Sequence, residues 1–172
     1  MRIKKPILLV GLMGSGKTTI GVALANRLGL KFADSDRIIE EQAGVSIAEI
    51  FERDGEEFFR KVEGKTIQRI LKSGEVMVLA TGGGAFMNEK TRQTAKKYAH
   101  SIWLDANIET LVQRVEGNDN RPLLNNKNRK RVLQELILKR YPTYAEAEFR
   151  VNVNNTSKTR ITNEIVRLLE GF

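Results

Sequence analysis

The sequence predicts an α/β fold of three layers, with a central five-stranded parallel sheet covered by helices on both faces. Five short apolar runs, near residues 6–10, 32–34, 76–80, 101–104 and 149–153, alternate with segments of helical periodicity. Strands separated by helices pair in parallel and are buried on both faces, so their runs are continuously apolar instead of alternating. Glycine-rich or acidic residues follow the first three runs. Those are carboxyl ends of strands, where ligands sit in open α/β sheets.

The elements follow in order. Pro6 to Val10 is the first strand. Lys17 to Leu28 has helical spacing at Ile20, Val22, Ala23, Ala25 and Leu28, and Gly29 is a stop. Phe32-Ala33 is a short strand ending at Asp34. Ser46 and Glu49 form a capping box for a helix through Phe51. Gly55 punctuates, and a longer helix runs through Leu71. Val76 to Ala80 is the third strand and leads into Thr81-Gly82-Gly83-Gly84. A helix over Glu89 to Tyr98, a strand over Ser101 to Leu104 and a helix over Ile108 to Val115 come next. Gly117 to Asn120 breaks the periodicity, and a polar loop with Pro122 follows. Lys127 to Tyr141 is helical, with Val132, Leu133, Leu136, Ile137 and Arg140 along one side. Phe149 to Val153 is the fifth strand, and Lys158 to Leu169 is the last helix. The 172 residues suit one domain, 1–172, with one core.

Composition narrows the function classes. With no cysteine, a disulfide framework is excluded. The apolar run Ile7 to Val10 is too short for a signal-peptide core or a membrane span, so a cytoplasmic chain without a membrane partner is expected. The net charge is +8, and residues 114–140 hold eight cations against three anions. Such a surplus suits nucleic acid or small polyanions. A nucleotide-switched nucleic-acid-binding protein is therefore the rival from another class. It would need aromatics on a basic face, whereas Phe and Tyr mostly fall at apparent core positions.

Gly11-Leu12-Met13-Gly14-Ser15-Gly16-Lys17-Thr18 matches G-x-x-x-x-G-K-[ST] between a strand and a helix. Glycines let successive backbone N–H groups ring a phosphate, and the helix N-terminus adds partial positive charge. Lys17 reaches the β- and γ-phosphates, and the Thr18 hydroxyl takes a Mg²⁺ position. No D-x-x-G follows, and Asn126-Lys127-Asn128 continues into Arg129, so the GTPase signatures are missing. Small-molecule kinases remain as the leading class.

Mg²⁺ also needs a carboxylate, directly or through water. Asp34 and Asp36 close the second strand, and residues two apart in an extended stretch point the same way. One serves the metal side while the other faces an acceptor hydroxyl. Asp36 is also readable as the N-cap of a helix before Arg37-Ile38-Ile39. Asp105 is the rival carboxylate, with a competing role at the start of the helix from Ile108.

Over nearly its whole length the chain resembles the shikimate kinase family, P-loop kinases of nucleoside-monophosphate-kinase-like fold. Beyond 11–18, the resemblance rests on Asp34-x-Asp36, Phe59-Arg60 with Glu63, Gly82-Gly83-Gly84, Arg121-Pro122-Leu123-Leu124, and Arg140 before Tyr141-Pro142-Thr143-Tyr144. It implies that ATP is held by Gly11, Gly14, Ser15, Gly16, Lys17, Thr18, Thr19 and Arg121, with Arg114 stacked on adenine. Mg²⁺ would be held by Thr18 and, through water, Asp34. Asp36 would bind the acceptor hydroxyl as base or positioner. Arg60 and Arg140 would hold the shikimate carboxylate, Glu63 would support Arg60, and the backbone of Gly82, Gly83 and Gly84 would approach substrate and phosphate. The implied subregions are the P-loop at 11–18, a shikimate-binding region at 34–63 and a mobile lid at 117–126. The implied reaction is ATP-dependent phosphorylation of the 3-hydroxyl of shikimate by a cytoplasmic monomer, with no nucleic-acid partner. Kinases of gluconate or nucleoside monophosphate type are the enzymatic alternatives. Arg60 also has ordinary helical partners in Glu56, Glu57 and Glu63.

Overall fold

A computed structural model describes residues 3–116 and 128–171. The expected lid at 117–126, with Arg121, lies outside the described residues. Five parallel strands, β1 (Ile7–Val10), β2 (Lys31–Asp34), β3 (Met77–Ala80), β4 (His100–Asp105) and β5 (Phe149–Asn152), form one sheet in the order β2-β3-β1-β4-β5. The central strands β1, β3 and β4 are buried at every position, as continuous apolar runs require. The edge strands β2 and β5 are only partly covered. Registers such as Leu8↔Leu79 and Leu9↔Ile102 stack branched side chains across the middle of the sheet.

The α-helices among the described residues are α1 (Lys17–Leu28), α2 (Ser35–Ala43), α3 (Ile47–Asp54), α4 (Glu56–Lys72), α5 (Glu89–Tyr98), α6 (Ile108–Glu116), α7 (Arg129–Tyr144) and α8 (Lys158–Leu169), with a 3-10 turn over Ala85–Met87. The expected punctuation is present. Gly29 closes α1 at φ 65°, and Ser46 with Glu49 makes both halves of the capping box on α3. No helix among the described residues is long and apolar enough to cross a membrane.

Three local readings are corrected. The cap of α2 is Asp34, whose side chain accepts from the Asp36 N–H, and not Asp36. The chain is still extended at Asp34 (φ −120°, ψ 122°), which is the geometry an N-cap needs. Asp105 does not serve the start of α6. It pairs with Arg150 at 2.7 Å, while Asn107 accepts from the Thr110 N–H at 2.9 Å and does the capping. Helix α7 runs through Pro142 to Tyr144 instead of stopping at Tyr141. A proline so near the C-terminus forfeits one late backbone bond, and side-chain contacts hold the last turn. The Tyr144 hydroxyl donates to the Gly83 carbonyl and the Tyr141 hydroxyl to the Ala106 carbonyl. Trp103 of β4 packs edge-on against Tyr141, with ring centroids 5.0 Å apart. Arg140 is thereby carried on a helix tied to the loop after β3 and to the residue after β4.

The chain leaves β1 towards β2 and leaves β4 towards β5, so connections from these neighbours diverge. Open α/β sheets have their crevice where connections diverge in this way. The glycine-rich segment 11–16 lies at its mouth.

Candidate active site

The loop from Gly11 to Gly16 turns back on itself. Gly14 (φ 83°) and Gly16 (φ 94°) hold conformations that side chains with a Cβ rarely adopt. Lys17 Nζ donates to the carbonyls of Gly11 at 2.7 Å and Leu12 at 2.9 Å, so its ammonium is held against the loop. Arg114 reaches across from α6 and donates to the carbonyls of Ser15 at 3.1 Å and Val153 at 3.1 Å. That spends its edge donors on backbone and fixes the plane of the guanidinium beside the loop.

Asp34 bridges two functions. One oxygen caps α2; the other accepts from the Thr18 hydroxyl at 3.2 Å. An all-oxygen pair from the P-loop helix and the end of β2 has the hard-donor chemistry that Mg²⁺ takes, with water and phosphate oxygens for its remaining positions. No group of three or more metal-ligating His, Cys, Asp or Glu residues occurs among the described residues, so a cage made only of protein ligands is not what these residues offer.

The three glycines after β3 explain the second half of the site. None of Gly82, Gly83 and Gly84 has positive φ, so backbone conformation does not require glycine here. Clearance does. A Cβ at Gly82 would lie 2.8 Å from Glu63 Oε1 and 3.0 Å from Asp36 Oδ1. At Gly83 it would lie 3.1 Å from an Arg140 guanidinium nitrogen, and at Gly84 2.5 Å from Arg60 Cζ. Each glycine thus leaves room for one or two charged groups on α2, α4 or α7. A plain turn would not need this clearance.

Two carboxylates and two guanidinium groups therefore converge. Glu63 is 2% exposed and accepts from Arg60 at 2.8 Å, while the Arg60–Glu56 contact is longer at 3.4 Å. Arg60 does keep ordinary helical partners, but it also lies flat over Gly84. Glu63 Oε1 and Asp36 Oδ1 are buried without a hydrogen-bond partner among the described residues. Orphaned buried carboxylate oxygens are costly, and a ligand hydroxyl or water would satisfy them. Burial first, then repulsion from Glu63 and Asp34, push the Asp36 carboxyl up to about 6, against a smaller pull from Lys17 and Arg60. Burial also raises Glu63, and the Arg60 charge opposes this.

Two cavities meet here. The larger, about 610 Å³, is lined by Gly14, Gly16, Lys17, Thr18, Thr19, Asp34, Asp36, Gly82, Gly83 and Arg114 among the expected residues. The smaller, about 130 Å³, is lined by Asp36, Arg60, Glu63, Gly82, Gly83, Gly84 and Arg140. Asp36 and Gly82–Gly83 belong to both. Gly11 and the buried Ser15 sit behind the loop's surface.

Several lining residues had no site role from the sequence: Arg37 and Thr81 in the larger cavity, Ile47, Phe51 and Phe59 (named only as part of the Phe59-Arg60 motif) in the smaller, and Met13 in both. Phe51 and Phe59 stand 4.9 Å apart and give the small cavity an apolar wall. The signal was available in Ile47 and Phe51, four residues apart on one face of α3, and in Phe59 beside Arg60.

A phosphoryl donor and its acceptor must lie close together with a negative group between them to orient the attacking hydroxyl. Two joined cavities, one against a phosphate loop and one flanked by guanidinium groups, provide that. The fold and the site are those of a P-loop small-molecule kinase.

Comparison with known proteins narrows the class. A family model described as shikimate kinase matches residues 13–170. The chain is 50% identical over 152 residues to a protein from Caulobacter vibrioides named shikimate kinase, covering 88% of this chain and 76% of that one. A Brucella canis protein of the same name is 45% identical over 165 residues, covering 96% and 82%. A solved structure of shikimate kinase from Acinetobacter baumannii in complex with shikimate superposes with a TM-score of 0.91 at 36% identity, covering 97% of this chain and 93% of that one. A gluconokinase from Sinorhizobium meliloti, 17% identical with a TM-score of 0.56, shares the fold alone. The chain belongs to the shikimate kinase family.

Proposed function

We propose that this chain transfers the γ-phosphoryl group of ATP to the 3-hydroxyl of shikimate, giving shikimate 3-phosphate and ADP. The observation that carries the reading is the convergence of Asp36, Glu63, Arg60 and Arg140 on Gly82–Gly84, beside the phosphate loop. Guanidinium forks match a carboxylate bidentately, so Arg60 and Arg140 hold the acceptor's carboxylate end. The wall of Phe51 and Phe59 suits the face of a compact ring, which a flexible open-chain sugar acid lacks. This favours shikimate over gluconate.

In this reading Gly11, Gly14, Ser15, Gly16, Lys17, Thr18 and Thr19 hold the phosphates, and Lys17 neutralises charge on the transferring group. Arg114 offers its flat face to adenine. Asp36 orients the acceptor hydroxyl and receives its proton, and Glu63 keeps Arg60 in place. Arg121 assists the phosphates as the resemblance implies. Thr18 and, through water, Asp34 would hold Mg²⁺, which when bound neutralises phosphate charge. The reading includes a cytoplasmic, monomeric, single-domain enzyme.

Phosphorus NMR of the product tests it. A phosphorus coupled to the ring proton at carbon 3 is expected. Phosphorylation at another hydroxyl, or no phosphorylated shikimate, would contradict it.

A further inference from the structure

Behind the acceptor pocket lies a further chamber of about 300 Å³. It shares Arg60, Glu63, Gly84 and Arg140 with that pocket and adds Glu56 and Lys139 to its walls. None of its lining residues belongs to the nucleotide cavity. The acceptor pocket therefore adjoins two spaces, one towards the nucleotide through Asp36 and Gly82–Gly83, the other towards this chamber.

The chamber's charges are not balanced. Arg60 is matched by Glu63 at 2.8 Å and Glu56 at 3.4 Å. Lys139, next to Arg140 in sequence, is exposed and has no hydrogen-bond or ion-pair partner among the described residues. A groove with surplus charge of one sign concentrates ligands of the other sign.

We propose that this chamber is an anion antechamber, where Lys139 draws in the acceptor's carboxylate before Arg60 and Arg140 take it. The inference rests on the proposed carboxylate acceptor. Because the chamber has no lining residue in common with the larger cavity, a nucleotide held by that cavity's residues leaves Lys139 free to act. Lys139 acts by attraction at a distance and does not touch the reacting atoms.

The test is steady-state kinetics of Lys139→Glu, Lys139→Arg and the wild type across ionic strength. Reversing one charge roughly 10 Å from a carboxylate in a water-like dielectric changes its attraction about fourfold. At about 10 mM salt, Lys139→Glu should raise the KM for shikimate about fourfold. The kcat at saturating acceptor and the KM for ATP should both stay within about twofold of wild type. At about 0.5 M salt, where the screening length is only a few ångströms, the difference should vanish. Lys139→Arg should match wild type at both salts. An unchanged acceptor KM at low salt would overturn the proposal. So would a rise that persists at high salt, or an equal rise in the KM for ATP, since these report altered packing. Wild-type turnover of shikimate separately tests the acceptor assignment; its absence would remove that assignment and the antechamber's role with it.

Discussion

Asp36→Asn should make the protein more stable and far less active, and the size of both effects follows from where the carboxyl sits. Its Oδ1 is buried without a partner among the described residues, as is Glu63 Oε1 beside Gly82. Burial and like charge raise the carboxyl from an ordinary 3.8 to about 6. A carboxyl whose folded value exceeds its unfolded one binds more protons when folded, so stability falls as pH rises between the two values and stays lower above them. At about 1.36 kcal/mol per pH unit, that difference is about 3 kcal/mol at neutral pH, and an amide escapes it. Part of the repulsion belongs to Glu63 and Asp34, so the expected gain is about 1–3 kcal/mol, or roughly 3–8 °C in Tm for a chain of this size. Thermal unfolding of both proteins at pH 7.5 and pH 4 is the assay. The variant should unfold later at pH 7.5, and the advantage should shrink through the window from 6 down to 3.8 and be largely gone at pH 4. With Asp36 in its proposed role as the group that receives the hydroxyl proton, the substitution should lower kcat by about 10²–10⁴. Equal or lower stability of the variant at pH 7.5, or a gain that persists undiminished at pH 4, would refute the electrostatic account.

The other expectations concern the phosphate loop and the guanidinium pair. Lys17→Met should lower kcat by about 10³ or more while the fold, read by circular dichroism, stays intact; ordinary turnover would remove Lys17 from the phosphate site. Arg140→Ala should raise the KM for shikimate about 10- to 100-fold with the KM for ATP nearly unchanged, as expected for one lost charged bidentate contact; an unaltered acceptor KM would detach Arg140 from the acceptor. Gly84→Ala puts a methyl where the Arg60 guanidinium lies, 2.5 Å from Cζ. It should cost about 1–3 kcal/mol in urea unfolding and raise the acceptor KM, and a variant matching wild type in both would show that Arg60 can move aside freely.

The sheet and most helices were legible in the sequence because their signals are local. Continuous apolar runs marked the three buried central strands, and Gly29 and the Ser46–Glu49 box marked helix ends. The weaker readings fell where distant contacts decide. The periodicity marked α7 only as far as Tyr141, yet Tyr144 on Gly83 and Tyr141 on Ala106 carry it past Pro142. Asp36 looked like a cap, but Asp34 is still in extended geometry and takes that role. Asp105 could not be matched to Arg150, 45 residues away, from spacing alone.

The phosphate loop was legible from one motif, because a strand, glycines and a helix are adjacent in the chain. The acceptor side was recognisable only as a set, since Asp36, Arg60, Glu63 and Arg140 come from three helices. What the sequence left hidden was why Gly82–Gly84 are glycines. Their φ values are ordinary, and the reason is the space taken by side chains up to 57 residues distant, Arg140 against Gly83. The apolar wall of Ile47, Phe51 and Phe59 was hidden for a related reason. Its residues read as core until the cavity beside them is seen.

The most direct measurement is ADP release from Mg-ATP with shikimate, gluconate and AMP offered as separate acceptors. The account predicts rapid release with shikimate alone. Release with gluconate or AMP at a comparable rate, or none with shikimate, would contradict the acceptor assignment while leaving the phosphate-loop fold in place.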